Sequence, residues 1–347
     1  MKNEEDLKKI LAENSVPEFR AKQYINQVCK NFKFNIEDIS IIPDHEKVVL
    51  LDLAKPLSIK LAHQQTSSKG DTTKFLFELD GGQMIETVLM KFEDGRNSVC
   101  VSSQVGCQMG CKFCATGKLG FKKNLTYEEI FDQVMYVQNE LNKTDQNISN
   151  VVFMGMGEPF MNYQQVIKAC NQLNHKDFLN LGARRITVST SGITEGISKL
   201  AKEKLQLNLA ISLHAPDQEL REKIMPIAKR WTIKDLMNEI NIYIKKTKRR
   251  VTYEYIMLSG INDTKKHAEM LAELIKNQLC HVNLIPYNSI DESEFKAPSK
   301  SEVIKFKNYL QNYGINATVR IAMGDDIAAA CGQLANKKLN QLTKQNG

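Results

Sequence analysis

The chain lacks any apolar run approaching the eighteen or so residues that cross a bilayer, so a membrane-spanning helix is excluded from the outset. The opening stretch MKNEEDLKKILAEN has no apolar core; it is charged and helical in pattern, and no signal peptide is expected. Eight cysteines without such a leader argue for a reducing, cytoplasmic setting and against a disulfide framework. A second C-x-x-C pair is missing, and the six histidines are scattered singly. Structural zinc sites favour two pairs, so they are poorly served here. The one tryptophan, Trp231, reads as structural. Charge of one sign is not in large excess either: a net +7 allows a nucleic-acid partner without requiring one.

What is present describes a globular protein, 42% hydrophobic and 25% charged, whose 347 residues suit an α/β barrel with an appendage. Residues 1–60 read as helices: the opening stretch, RAKQYINQVCKNF, and a segment from Ile36 to Leu53. In KFLFELDGGQMIETVLM two alternating β runs flank Asp80-Gly81-Gly82, a hairpin signal, and 61–95 is taken as a β-hairpin extension. From about Ser98 strand and helix patterns alternate. The strands are SVCVSSQ, NVVFMGMG, RRITVSTSG, LNLAISLH, VTYEYIML and HVNLIPYN, with a seventh near Ala317 to Ile321. Capping boxes stand at Thr126 with Glu129 and at Ser299 with Glu302. Such alternation implies right-handed βαβ units on a parallel sheet. Six units cannot close an eight-stranded barrel, so the expected fold is α/β, a partial (βα)6 barrel over 96–325, with a tail from 326 to 347. Active residues should stand at the C-terminal ends of its strands.

There the motifs lie. VGCQMGCKFCATG follows the first strand and offers three thiolates, Cys107, Cys111 and Cys114, from one short loop. A [4Fe–4S] cluster usually takes four cysteines, one per iron; three leave an iron open to a further ligand. The alternative from spacing alone is a zinc ion completed by a distant residue. The C-x-x-x-C-x-x-C spacing resembles that of the radical S-adenosylmethionine enzymes, with Phe113 as the aromatic usual before the last cysteine. Resemblance to that superfamily implies a [4Fe–4S] cluster on these three cysteines and S-adenosylmethionine on the open iron. It also assigns cofactor contacts: Gly157 and Glu158 in MGMGEP to the methionine amino group, and Ser189, Ser212, Leu213, His214 and Asn288 to the rest of the cofactor. By chemistry alone these are hydroxyl, backbone and amide groups suited to ribose, carboxylate and adenine edges, or equally to caps and turns.

The full series MGMGEP, STSG, SLHAP, NLIPYN and AACGQL is similar to that of the dual-specificity RNA adenine-C2 methyltransferases, from the N-terminal helices to about Leu334. That resemblance implies a methylated-cysteine mechanism using two S-adenosylmethionines per turnover. Cys331 would accept the first methyl group, Cys100 would resolve the protein–RNA adduct through a transient disulfide, and Glu86, in IETVLM, would accept a proton. Glu86 could also be an ordinary outward strand carboxylate. One departure stands out: the family's D-I-D-A-A-C becomes Asp326-Ile327-Ala328-Ala329-Ala330-Cys331 here. Cys29, Cys170 and Cys280 read as packing residues.

The implied substrates are an adenosine of 23S rRNA and one in tRNA, each presented as an unstacked base. Lys112, Lys118, Lys122 and Lys123 flank the cysteine loop, and Lys245, Lys246, Lys248, Arg249 and Arg250 form a second run. Either cluster is a solvated face or a phosphate-steering surface. A low-potential electron donor, on the order of −400 mV as for plant-type ferredoxins, is also implied. No membrane partner is expected, and a monomer is, since barrel and accessory domain consume the apolar faces. Two alternatives stay open: a carbon-8 methyltransferase of the antibiotic-resistance type, which tends to read G-E-A where this chain has Gly157-Glu158-Pro159, and a non-catalytic zinc-stabilised RNA-binding protein.

Overall fold

A computed structural model of the chain describes residues 1–290 and 293–334; the expected tail beyond 334 lies outside the described residues. Three helices open the chain: α1 (Glu4–Glu13), α2 (Phe19–Cys29) and α3 (Asp44–Leu53). The Asn3 side chain caps α1 by accepting from the Asp6 amide, satisfying one of the amides a helix start leaves free. Leu7 and Leu11 of α1, and Tyr24, Ile25 and Val28 of α2, face inward. These buried residues join the same continuous core as Val99 and Val151 of the barrel. Across the seam the Tyr127 hydroxyl donates to Asp6 at 2.5 Å.

Strands β1 (Ile59–Thr66), β2 (Thr72–Leu79) and β3 (Met84–Lys91) pair antiparallel. The hairpin of β2 and β3 turns through Gly81 and Gly82 at φ +97° and +77°, as the Asp-Gly-Gly signal demands. The first of the three strands was not legible. Its sequence IKLAHQQT lacks apolar alternation because β1 is the sheet's outer edge and exposes every second residue.

The chain then enters β4 (Asn97–Cys100), followed by β5 (Gln104–Gly106), the short α4 (Ala115–Lys118) and β6 (Phe121–Asn124). Alternation follows: α5 (Tyr127–Asn142), β7 (Asn150–Phe153), α6 (Tyr163–Asn174), β8 (Ile186–Thr190), α7 (Thr194–Leu200) and β9 (Asn208–Ser212). It continues through α8 (Gln218–Ile224), α9 (Ile233–Thr247), β10 (Val251–Met257), α10 (Lys265–Ile275), β11 (Cys280–Pro286), α11 (Lys300–Asn312) and β12 (Ala317–Val319). Both expected capping boxes form, opening α5 and α11.

Among the described residues the main sheet has ten strands in the order β1-β2-β3-β4-β7-β8-β9-β10-β11-β12, with the last seven parallel. The antiparallel hairpin therefore extends the parallel sheet through β3 and β4. The sheet stays open from β1 to β12 and β5 pairs only with β6. All the parallel strands end on one side, and the cysteine loop, the glycine segment and the tail gather there.

Candidate active site

Two contacts fix the cysteine loop from below. The Cys107 amide donates to the Gly120 carbonyl, and the Lys112 amide to the Ile224 carbonyl at the end of α8, each at 3.0 Å. Gly106 is required here: it sits at φ +73°, and an added Cβ would stand 1.8 Å from the Gly120 carbonyl oxygen. Cys107, Cys111 and Cys114 line one cleft together with Gly157, Glu158, Ser189, Ser212, His214 and Cys331. Burial pushes all three thiols up, Cys107 to about 12, so ligation would proceed by releasing their protons to solvent. Among the described residues no three His, Cys, Asp or Glu side chains are arranged to hold a single metal ion. Three thiols around one cleft match in number a cluster that takes one thiolate per iron and leaves one iron open.

Glu158 is 3% exposed, and burial raises its carboxyl above the usual range, against the opposing pull of backbone amides. One oxygen accepts from the Ser191 amide at 2.7 Å and the other from Phe160 at 3.0 Å. A carboxylate has further acceptor sites, so an ammonium group can still bind. The glycines before it serve a purpose the sequence reading did not identify. A Cβ at Gly155 would lie 2.7 Å from the Val101 carbonyl, and one at Gly157 2.6 Å from Gln104 Cβ. The close approach they permit is to this chain's own segment after β4.

His214 is a left-handed residue at φ +61°, buried edge-on against Phe113 with ring centroids 4.8 Å apart. Its Nδ1 accepts from the Ile256 amide at 3.0 Å, which leaves Nε2 as the protonated nitrogen. Burial, then the nearby Arg221 cation, pushes its pKa down to about 3. A neutral donor faces the cleft. Leu213 is wholly buried; its amide donates to Glu254 and its carbonyl accepts from Arg221.

The tail lies across the cysteine loop. The Ala115 amide donates to the Gly332 carbonyl at 2.7 Å, and the Thr116 hydroxyl to the Leu334 carbonyl at 2.7 Å. The Asn288 amide group donates to the Cys331 carbonyl at 3.2 Å, and Gln333 ties the Ala330 amide to the Ser289 carbonyl. Cys331 thus lines both the cleft and an adjoining cavity that it shares with Cys100, Asn288, Met90 and Met154. All eight cysteines are free thiols, and burial pushes that of Cys100 up to about 12, with the nearby Cys331 adding to the shift. Glu86 lines neither cavity. It lies on β3, 3% exposed, and pairs with Lys74 at 3.3 Å; Lys74 in turn donates to the Ala328 carbonyl at 3.1 Å. Ala328 is left-handed at φ +50°, a conformation that costs alanine more than it would an aspartate.

Lys74, Arg221, Glu254 and Arg320 went unread in the sequence. Glu254 interrupts the apolar strand VTYEYIML, a signal that was available. It is buried, accepts from Asn283 at 2.8 Å, and lines the cleft beside Arg320. The second basic run belongs elsewhere. Arg249 donates to Gln206 and Asn208 at the start of β9, so that run sits at the opposite end of the barrel.

The Radical SAM superfamily profile matches residues 101–275. A solved structure, a radical SAM methyltransferase from Sphaerobacter thermophilus, superposes with a TM-score of 0.93 at 40% identity, covering 96% of this chain and 97% of that one. Among curated relatives, a probable dual-specificity RNA methyltransferase RlmN of Bacillus licheniformis is 46% identical across 98% of this chain and 94% of its own length. A ribosomal RNA large subunit methyltransferase N of Nitrosopumilus maritimus is 43% identical across 95% of this chain and 96% of its own length. Identity of 43–46% across nearly the whole of both chains carries the relationship beyond the barrel alone: this chain belongs to the radical SAM superfamily, whose members use a [4Fe–4S] cluster and S-adenosylmethionine, and within it to the RlmN family of RNA methyltransferases.

Proposed function

We propose that this protein methylates carbon 2 of an adenosine in 23S rRNA, and of one in tRNA, through a methylated Cys331. The observation that carries the reading is the position of Cys331 between two cavities, one lined by Cys107, Cys111 and Cys114 and the other shared with Cys100. Carbon 2 of adenine is electron-poor and resists an ordinary electrophile, whereas a carbon-centred radical adds to it. The cluster and S-adenosylmethionine, when bound, supply the radical chemistry. Cys107, Cys111 and Cys114 would hold the cluster. Glu158 would receive the amino group of the cofactor; Gly157, Ser189, Ser212 and His214 would line the rest of its site, with Leu213 buried behind them and Asn288 on the adjoining cavity.

Cys331 acts first as a thiolate nucleophile that takes a methyl group from one S-adenosylmethionine. Its thioether methyl would then give up a hydrogen atom to the radical that the bound cofactor supplies, and the methylene radical would add to carbon 2, the adduct returning one electron to the cluster before its carbon–sulfur bond breaks. Asn288 holds the backbone of Cys331 at the mouth between the cavities while this happens. The resemblance assigns the proton from carbon 2 to Glu86, which stands outside both cavities and is joined to the tail through Lys74, so it would act from behind the cavity wall. Cys100 then attacks the Cys331 sulfur and frees the product as a disulfide forms. A low-potential electron donor completes the cycle, and the working unit is a monomer in the cytoplasm. The N-terminal helices and the lysines beside the cysteine loop would grip the RNA.

The test is an anaerobic assay with an isotopically labelled methyl donor on rRNA and tRNA transcripts, with the product nucleoside compared by mass spectrometry with authentic carbon-2 and carbon-8 isomers. Cys331→Ala should retain full iron and sulfide content and form no product. Normal methylation by that variant, or a carbon-8 product from the native chain, would refute the reading.

A further inference from the structure

One side chain at the site is a charge with no counter-charge. Arg221, in α8, is 0% exposed. Its guanidinium makes four hydrogen bonds, all to backbone carbonyls: Leu213 at 3.1 Å, Trp231 at 3.3 Å, Ser191 at 2.5 Å and Ser212 at 3.2 Å. Among the described residues no carboxylate stands within ion-pair distance of it. Arginine stays protonated at neutral pH even after burial lowers its pKa to about 10. Burying such a cation costs several kcal/mol unless an anion offsets it, so a fold that keeps one invites the question of which anion it serves.

The neighbours answer it. The Lys112 amide, between the second and third cysteines of the loop, donates to Ile224 three residues after Arg221. Ile224 and Met225 pack with Phe113, and Cys111 and Cys114 lie against that cluster. Once deprotonated as a ligand, Cys111 is the thiolate whose negative charge would act on Arg221. Three of its four carbonyl partners, Ser191, Ser212 and Leu213, moreover, stand at the ends of β8 and β9, the same segments that present Ser189, Ser212 and His214 to the cleft.

We propose that Arg221 is the fixed counter-charge of the iron–sulfur centre, raising its reduction potential while pinning the two strand ends that receive the cofactor. This rests on the reading that Cys107, Cys111 and Cys114 ligate the cluster. A four-iron core held by three thiolates carries about one net negative charge when oxidised. One electron from the low-potential donor makes it about two, with no proton taken up. A cation that is already in place and shielded from solvent favours the more negative state. Arg221 is therefore a tuning and positioning residue; it need not touch the reacting atoms.

The experiment is a redox titration followed by electron paramagnetic resonance on the full chain, reconstituted anaerobically, with iron and sulfide quantified. Arg221→Lys keeps the charge and loses the fork. Arg221→Gln and Arg221→Met lose the charge, and Gln retains donors for the carbonyls should Met fail to fold. At the wild-type midpoint the neutral variants should show about a tenfold lower ratio of reduced to oxidised cluster, about 59 mV for a one-electron couple. Arg221→Lys should stay within about twofold of wild type while its affinity for S-adenosylmethionine falls. A neutral variant matching the wild-type midpoint, or Lys and Gln shifting alike, would overturn the role of Arg221 and leave the cluster assignment standing. A native chain without a paramagnetic cluster on reduction would overturn both.

Discussion

His214 shows how one backbone contact fixes the chemistry of a side chain. Because Nδ1 already accepts from the Ile256 amide, a second ring proton has no place to go without leaving that donor facing another donor. Burial and Arg221 hold the folded pKa near 3, whereas an unfolded chain's histidine protonates near 6.5. Between those values the unfolded state binds more protons, so the contribution to stability rises with pH and is lost as pH falls from about 6.5 toward 3. The loss is up to about 1.4 kcal/mol per pH unit in that window. His214→Asn retains an acceptor and does not titrate. Its urea-unfolding free energy should fall less steeply than wild type between about pH 6 and 4; parallel curves would contradict the assignment.

At the scale of elements, the cysteine loop is held by its own return strand. β5 and β6 pair with a register shift between Val105 and Gly106, and the Cys107 amide closes on Gly120. That leaves no room for a Cβ at 106, where the left-handed backbone alone costs an L-residue about 1–2 kcal/mol. Gly106→Ala should lower the thermal midpoint and, more tellingly, displace Cys107. Iron content after reconstitution should drop well below that of wild type, while far-ultraviolet circular dichroism stays near native. Full iron loading would show that the loop tolerates the shift. The tail is a second such element: contacts from Asn288, Gln333 and Thr116 decide where Cys331 stands, and none follows from the AACGQL motif.

For the whole molecule, the ends of the barrel divide the labour. Lys112 and Lys122 are exposed beside the cysteine loop, at the end where RNA must arrive, whereas Lys123 is paired with Glu129 and the run from Lys245 to Arg250 lies at the far end. Lys112→Ala with Lys122→Ala should weaken RNA binding and reduce the slope of log affinity against log salt by about one per lysine. The same pair of changes at Lys245 and Lys246 should leave the slope unchanged. Equal effects at both ends would remove the polarity argued here.

Much of this was legible in order along the chain. Three thiols at fixed spacing, a glutamate behind two glycines, strands alternating with helices and two capping boxes are local signals, set by backbone geometry over a few residues. The strands could be read because parallel strands are buried on both faces and need continuous apolar runs. What lay beyond reach was everything decided by distant partners. IKLAHQQT became an edge strand only because β2 offered it a ladder, and Gly155 owes its identity to Val101 across the sheet. Arg221 looks like any charged helix residue until four carbonyls from three loops close around it. The sequence by itself determined which chemical groups this protein owns and the repeating frame that carries them. Tertiary structure alone decided their electrostatics, because burial and the neighbours that burial brings are properties of packing between segments far apart in the chain.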